Sequence, residues 1–387
     1  INYLYILEKQ YENDQNKKNK FEFISHQLFK NNKLEEGYNF ILFLRNKYNI
    51  PSFYSRKLIS IFKKNNKFKQ SINESIIYLN HKSTNKLSSV TKNILIEQIF
   101  DLIQIIIDDA KLDKTYLPIS SKQLSSNKFL NINKNYIYES NAIDYINKVY
   151  EKLIQSELKS ELAQFKLAEI QYKVFSDLDS AYKIINNLGK KSTNNDLNIK
   201  ILLLKSDILI SKGYLDSALH LINSKHNSIE KYSKINNIND IRFKNIELLL
   251  YKGDYVNLNL EIDSLINDFE LNNKNSNDLL ELKMITLFFS ENIEQFKKYS
   301  LIQHKLKMNK SFESILDLID LINSDNVLIS ELAQFQYSLI EFQKGNIDNT
   351  QQIILNMNIQ TIYYEIALIV NAEIEDYVNQ NNKNAIN

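Results

Sequence analysis

The chain has 387 residues but only five Gly and two Pro, too few turn residues for an all-β fold built from many hairpins, and this favours long helices. Its 48 basic and 46 acidic residues leave a formal charge of +2, so no large electrostatic field draws it to nucleic acid. The absence of Cys removes disulfides, thiolate nucleophiles and Cys-bound zinc or iron-sulfur sites.

At this length one compact core is exceeded, which leaves two or three domains or one elongated array. The chain opens on Ile1 rather than Met and shows no signal peptide, so the expectation is a processed product or a fragment. Residues 1–108 read as N-terminal helical hairpins. The most apolar stretch, ILIEQIFDLIQIIID at 94–108, is interrupted by Glu97, Gln98, Asp101 and Gln104. It predicts a buried helix rather than a span, which needs about 18 apolar residues. Residues 109–140 lose helical periodicity and gather Ser, Asn and Pro118, as either a long inserted loop or a linker between two blocks. Residues 141–387 read as the main array.

Self-similarity organises that array. SELAQF occurs at 160–165 and again at 330–335, 170 residues or five periods of 34 later. AEI begins at Ala168 and at Ala372, six such periods apart, and each is followed thirteen positions on by an alanine, Ala181 and Ala385. The unit has a physical corner: Gly213, Gly253 and Gly345 each follow a Lys. A glycine can take the left-handed conformation that ends a helix, and the Lys suits the negative end of the helix dipole. A small or apolar residue falls five positions after each corner. The equivalent positions are Gly37, Ser71, Ala142, Ala181, Ala218, Leu258, Phe296, Thr350 and Ala385. The wider gap before Thr350 leaves room for an extra helix at SFESILDLIDLI, residues 311–322. Apolar stripes such as Ala181, Ile184, Ile185 and Leu188 follow at helical spacing. Each is too narrow to form a core alone, so neighbouring hairpins must cover it.

The segments 167–188, 205–222 and 246–266 resemble tetratricopeptide repeats. Ala168, Tyr172, Ala181 and Ile185 match that family's small and aromatic positions, as do Leu209, Gly213, Ala218 and Ile222 in the next unit. The chain departs from the family in having no Trp, and only Pro51 stands where a unit-closing Pro is expected. The resemblance implies an all-α fold, an α-solenoid of antiparallel helix pairs wound into a superhelix. It also implies a concave groove lined by Lys166, Lys173, Asp207, Glu247, Tyr251, Phe335 and Phe342, with a protein or peptide partner. Envelope assembly or secretion, in an exported or periplasmic bacterial protein, is the setting it suggests. By the repeat offset Ala385 would open a second helix, so the natural chain is expected to continue and to cover the apolar YYEIALIVNAEI, residues 363–374.

No residues point to catalysis. His26, His81, His220, His226 and His304 form no HExxH pair, and the isolated glycines cannot build a phosphate loop. Asp108 and Asp109 are adjacent and do not face one another on a helix. No GxSxG elbow is present. The expectation is therefore a non-enzymatic scaffold without cofactor, metal, nucleic-acid partner or membrane span. The alternatives are a helical-repeat accessory domain of a larger enzyme, or a structural spacer or self-association module.

Overall fold

The structure, a computed structural model, describes residues 2–80, 89–110, 140–155, 161–190, 192, 195–230, 235–268, 276–308, 310–357 and 362–377. The described residues contain helices and turns and no strand. They divide into two units, one within Ile1–Leu112 and Tyr138–Lys166, the other from Leu167 onward. The 109–140 segment lies almost wholly outside the described residues, as does Ala385.

The first unit holds α1 (Asn2–Tyr11), α2 (Lys17–Lys30), α3 (Leu34–Tyr48), α4 (Ser55–Lys64), α5 (Phe68–Asn80), α6 (Ser89–Asp109) and α7 (Ser140–Gln155). Phe21, Phe40, Ile41, Leu44, Leu58 and Phe62 form a core between α2, α3 and α4. The sequence pattern groups residues 141–155 with the later array, but α7 packs on α5 and α6. There the Tyr145 hydroxyl donates to the Lys69 carbonyl at 3.0 Å.

A buried ion pair ties α3 to α5. The Arg45 guanidinium donates to both Glu74 oxygens, at 2.9 and 2.7 Å, and to the Phe53 carbonyl at 3.0 and 2.9 Å. Ser55 donates to the same carboxylate at 2.9 Å. Both charges are sealed from solvent, and the fork geometry satisfies them together.

Helix α8 (Glu161–Lys173) carries the boundary at Lys166. The second unit continues with α9 (Leu178–Gly189), α10 (Asn195–Ser211), α11 (Leu215–Glu230), α12 (Ile235–Lys252), α13 (Tyr255–Asp268), α14 (Ser276–Phe288) and α15 (Ile293–Lys307). It ends with α16 (Ser311–Ile322), α17 (Val327–Gln343), α18 (Ile347–Leu355) and α19 (Ile362–Tyr377). The extra helix expected at 311–322 is α16. Most consecutive helices pack as neighbours, as a stack of hairpins requires, and one apolar core runs from Ile199 to Ile374.

The corners repeat in atomic detail. Gly213, Gly253 and Gly345 have φ of 85°, 67° and 82°. At each, the glycine N–H donates to the carbonyl three residues back and the next N–H to the carbonyl five residues before it, as from Tyr214 to Leu209 at 2.9 Å. This is the left-handed helix stop with its paired hydrogen bonds. Asn32 and Asn66, with φ of 57° and 55°, make the same pair of bonds in the first unit. Five residues after each corner stand Gly37, Ser71, Ala218, Leu258 and Thr350, all buried. Each donates its N–H to the carbonyl four residues back, which starts the next helix.

A Cβ added at Gly345 meets nothing within 4 Å, so only the backbone conformation opposes a side chain there. Gly345→Ala is expected to cost about 1 kcal/mol and Gly345→Asn less, since Asn tolerates the left-handed region. Denaturant unfolding of both variants checks this; equal losses would mean that something other than φ governs the corner.

The stack changes order after α13. Helix α14 packs on α13, whereas α15 reaches back to α12 and also touches α10, which itself contacts α12. Three helices far apart in sequence thus gather around one centre. That centre is polar.

Candidate functional site

Helix α10 is apolar on most of its circumference, with Leu197, Ile199, Ile201, Leu202, Leu204, Ile208, Leu209 and Ile210 all buried. Such a helix must be covered on every side. Asp207 is the charge it carries inward. Lys244 of α12 donates to Asp207 at 2.7 Å and also bonds Glu247 one turn along its own helix. Lys307 of α15 lies 3.4 Å from Asp207 and 3.3 Å from Glu247. Tyr251 donates to the other Glu247 oxygen at 2.8 Å and stacks on the ring of His304, whose Nε2 sits 3.2 Å from the Ile210 carbonyl. Tyr172 and Ser211 share a 3.0 Å hydrogen bond at the edge. Two cations and two carboxylates therefore close a neutral clasp joining α10, α12 and α15.

Burial by itself would raise the Asp207 carboxyl, but the ammoniums of Lys244 and Lys307 outweigh it and hold it at about 2. Glu247 is opposed by burial in the same way and is still pulled below its ordinary value by Lys244 and Lys307. Burial would lower Lys244 and Lys307, yet the facing carboxylates keep both above the usual ammonium range. Burial pushes the Tyr172 phenol up and His304 down, the latter with help from Lys310. A general acid or base works best with a pKa near the ambient pH. Here both carboxylates and both amines are displaced away from neutrality, as ion pairs that fasten three helices require.

Of the residues expected to line a groove, the structure brings Asp207, Glu247 and Tyr251 together in this clasp. Glu247 and Tyr251 are buried under α15. Phe335 and Phe342 lie in the core of α17, with Phe335 fully enclosed and stacked on Tyr363. Lys173 is exposed on α8 and paired with Glu169, while Lys166 of the same helix is half-buried. Lys244, Lys307 and His304 were not among the expected residues. The one sequence signal for Lys244 is its spacing to Glu247 and Tyr251, three and seven residues on, which sets all three on one face.

The open surface lies elsewhere. Helices α13 and α14 pack side by side, joined by Lys283, which pairs with Asp263 at 2.6 Å. Flanking this pair are Val256 and Leu260 on α13, 67% and 63% exposed, and Leu280 and Leu287 on α14, 55% and 57% exposed. Among the described residues no group of His, Asp or Glu could hold a metal ion, and no helix is long and apolar enough to cross a membrane.

The chain matches no protein-family model and no curated protein. The described residues are all-helical, and the neighbour-to-neighbour packing of the helices is compatible with a helical-repeat fold.

Proposed function

We propose that the protein is a non-enzymatic scaffold of tetratricopeptide-like repeats that binds another protein. The observation that carries this reading is the aliphatic quartet Val256, Leu260, Leu280 and Leu287, more than half exposed on two adjacent helices. Large aliphatic side chains grouped on a surface mark interaction sites. The side of α12 that carries Glu247 and Tyr251 is closed by α15, so the partner surface is assigned to the α13–α14 seam rather than to a groove. The clasp supports a non-catalytic role, since its groups are tuned away from proton transfer at neutral pH.

The test is a paired substitution, Leu260→Lys with Leu287→Lys. Both sites are exposed, so stability should stay within about 0.5 kcal/mol of the parent. Crosslinking in cells that make the protein should lose its partner bands by about tenfold or more in the variant, as for other buried interface anchors. Bands of unchanged strength, with far-UV circular dichroism also unchanged, would count against the seam.

A further inference from the structure

We infer that the α4–α5 hairpin is a docking face for an acidic segment of a partner protein. Residues 51–73 contain Arg56, Lys57, Lys63, Lys64, Lys67 and Lys69 and no acid, and all six of these side chains are exposed. Lys57 pairs with Glu22 at 3.1 Å, and Lys69 lies over the Tyr145 ring at 5.4 Å. Among the described residues Arg56, Lys63, Lys64 and Lys67 have no anionic partner. Several cations of the second unit are instead paired. There Lys252 faces Asp216 at 2.7 Å, Arg242 faces Asp268 at 2.5 Å and Lys298 faces Asp320 at 3.4 Å.

Uncompensated cations this close together repel one another, and folding gives little reason to place them so. Lys63 and Lys64 suit the carboxyl end of α4, but Lys67 and Lys69 stand at the amino end of α5, where the helix dipole disfavours cations. The first turn of α5 holds no acid to offset them. The hairpin is nonetheless firmly held, because Tyr145 of α7 fixes the Lys69 carbonyl and Glu74 of α5 closes on Arg45. A rigid base carrying unpaired positive charge is suited to a ligand that brings the negative charge.

The surroundings favour carboxylates over phosphates or lipid. Helix α5 is about 20 Å long, so the basic strip is short. Helix α3, whose Tyr38 packs on Phe62 of α4, opens with exposed Glu35 and Glu36, which confine an anionic ligand to the hairpin and disfavour a long polyanion running past it. No large apolar side chain is exposed between Leu42 and Val90 among the described residues, so nothing there would enter a bilayer. A flexible acidic peptide segment fits a strip of this size. The inference takes its protein partner from the scaffold reading, but its surface is distinct from the α13–α14 seam.

The experiment titrates the full chain into a labelled oligoglutamate peptide, a single-stranded oligonucleotide of equal charge, and vesicles of phosphatidylcholine with phosphatidylserine. The parent should bind the peptide best, with affinity falling as salt rises. The variant Lys63→Gln, Lys64→Gln, Lys67→Gln, Lys69→Gln should bind the peptide about tenfold or more weakly, as expected when several cations facing one anionic ligand are removed. Gln keeps the helix propensity of Lys, so the fold is retained. Leu260→Lys with Leu287→Lys should leave peptide affinity unweakened, which separates a failure of this inference from a failure of the seam. Tighter binding of the oligonucleotide or the vesicles overturns the acidic-segment assignment, as does peptide affinity that the fourfold variant does not change. Absence of peptide binding overturns it outright.

Discussion

Glu74→Gln is expected to destabilise the first unit by about 3–5 kcal/mol, the range for removing one partner of a buried ion pair. The substitution keeps the size of the side chain and its bond from Ser55, so packing changes little. What changes is charge: Arg45 is left as a sealed guanidinium with neutral acceptors alone, among them the Phe53 carbonyl, 2.9 and 3.0 Å away, and the Ser55 hydroxyl at 2.9 Å. The converse follows from the same physics. Arg45→Met with Glu74→Met removes both charges and should recover much of the loss, because an apolar pair of similar volume carries no desolvation cost. Hydrogen exchange resolved along the chain is the measurement, since a two-unit protein need not unfold in one step. Protection should fall across 34–80 in Glu74→Gln and return in the double variant. A double variant as weak as the single one would show that the bidentate pair, and not charge balance, holds α3 to α5.

The corners of this chain were legible because their chemistry is local. A Lys-Gly followed five residues later by a small or apolar residue encodes a helix stop, a left-handed residue and the first buried position of the next helix, as at Gly213 and Ala218. At Asn32 and Asn66 only the positions that follow, Gly37 and Ser71, marked the corner, since Asn reaches the left-handed region only sometimes and this chain is rich in Asn. Groove positions were a harder matter. Tyr251 and Phe335 lie on faces that are open in a regular stack, and whether such a face stays open depends on helices distant in sequence. The contact of His304 with the Ile210 carbonyl spans 94 residues, and no periodicity reports it. One signal was nonetheless present in KILLLKSDILI, residues 200–210, where apolar residues surround the helix and demand cover on every side.

Lys244→Met should cost the second unit about 3–5 kcal/mol, since two carboxylates would then share Lys307 alone in a mostly buried site. Lys307→Met should do the same for the opposite partner, and the two together should not add, because each disables one four-charge network. Acid should act on the same network. Asp207 and Glu247 have folded pKa values below their ordinary 3.8 and 4.5. Their stabilisation is therefore complete above about pH 5 and is lost as pH falls toward about 2, where Asp207 takes up its proton. Lys244 and Lys307 have folded values above their ordinary 10.5, so their contribution is complete below that value and is lost only as pH rises through the folded values. In the parent, unfolding followed by hydrogen exchange over 195–211, 235–252 and 293–307 should lose protection between pH 5 and 2 more steeply than in Asp207→Asn. Equal steepness would mean that apolar packing alone holds α15 to α10 and α12, with the charges as passengers.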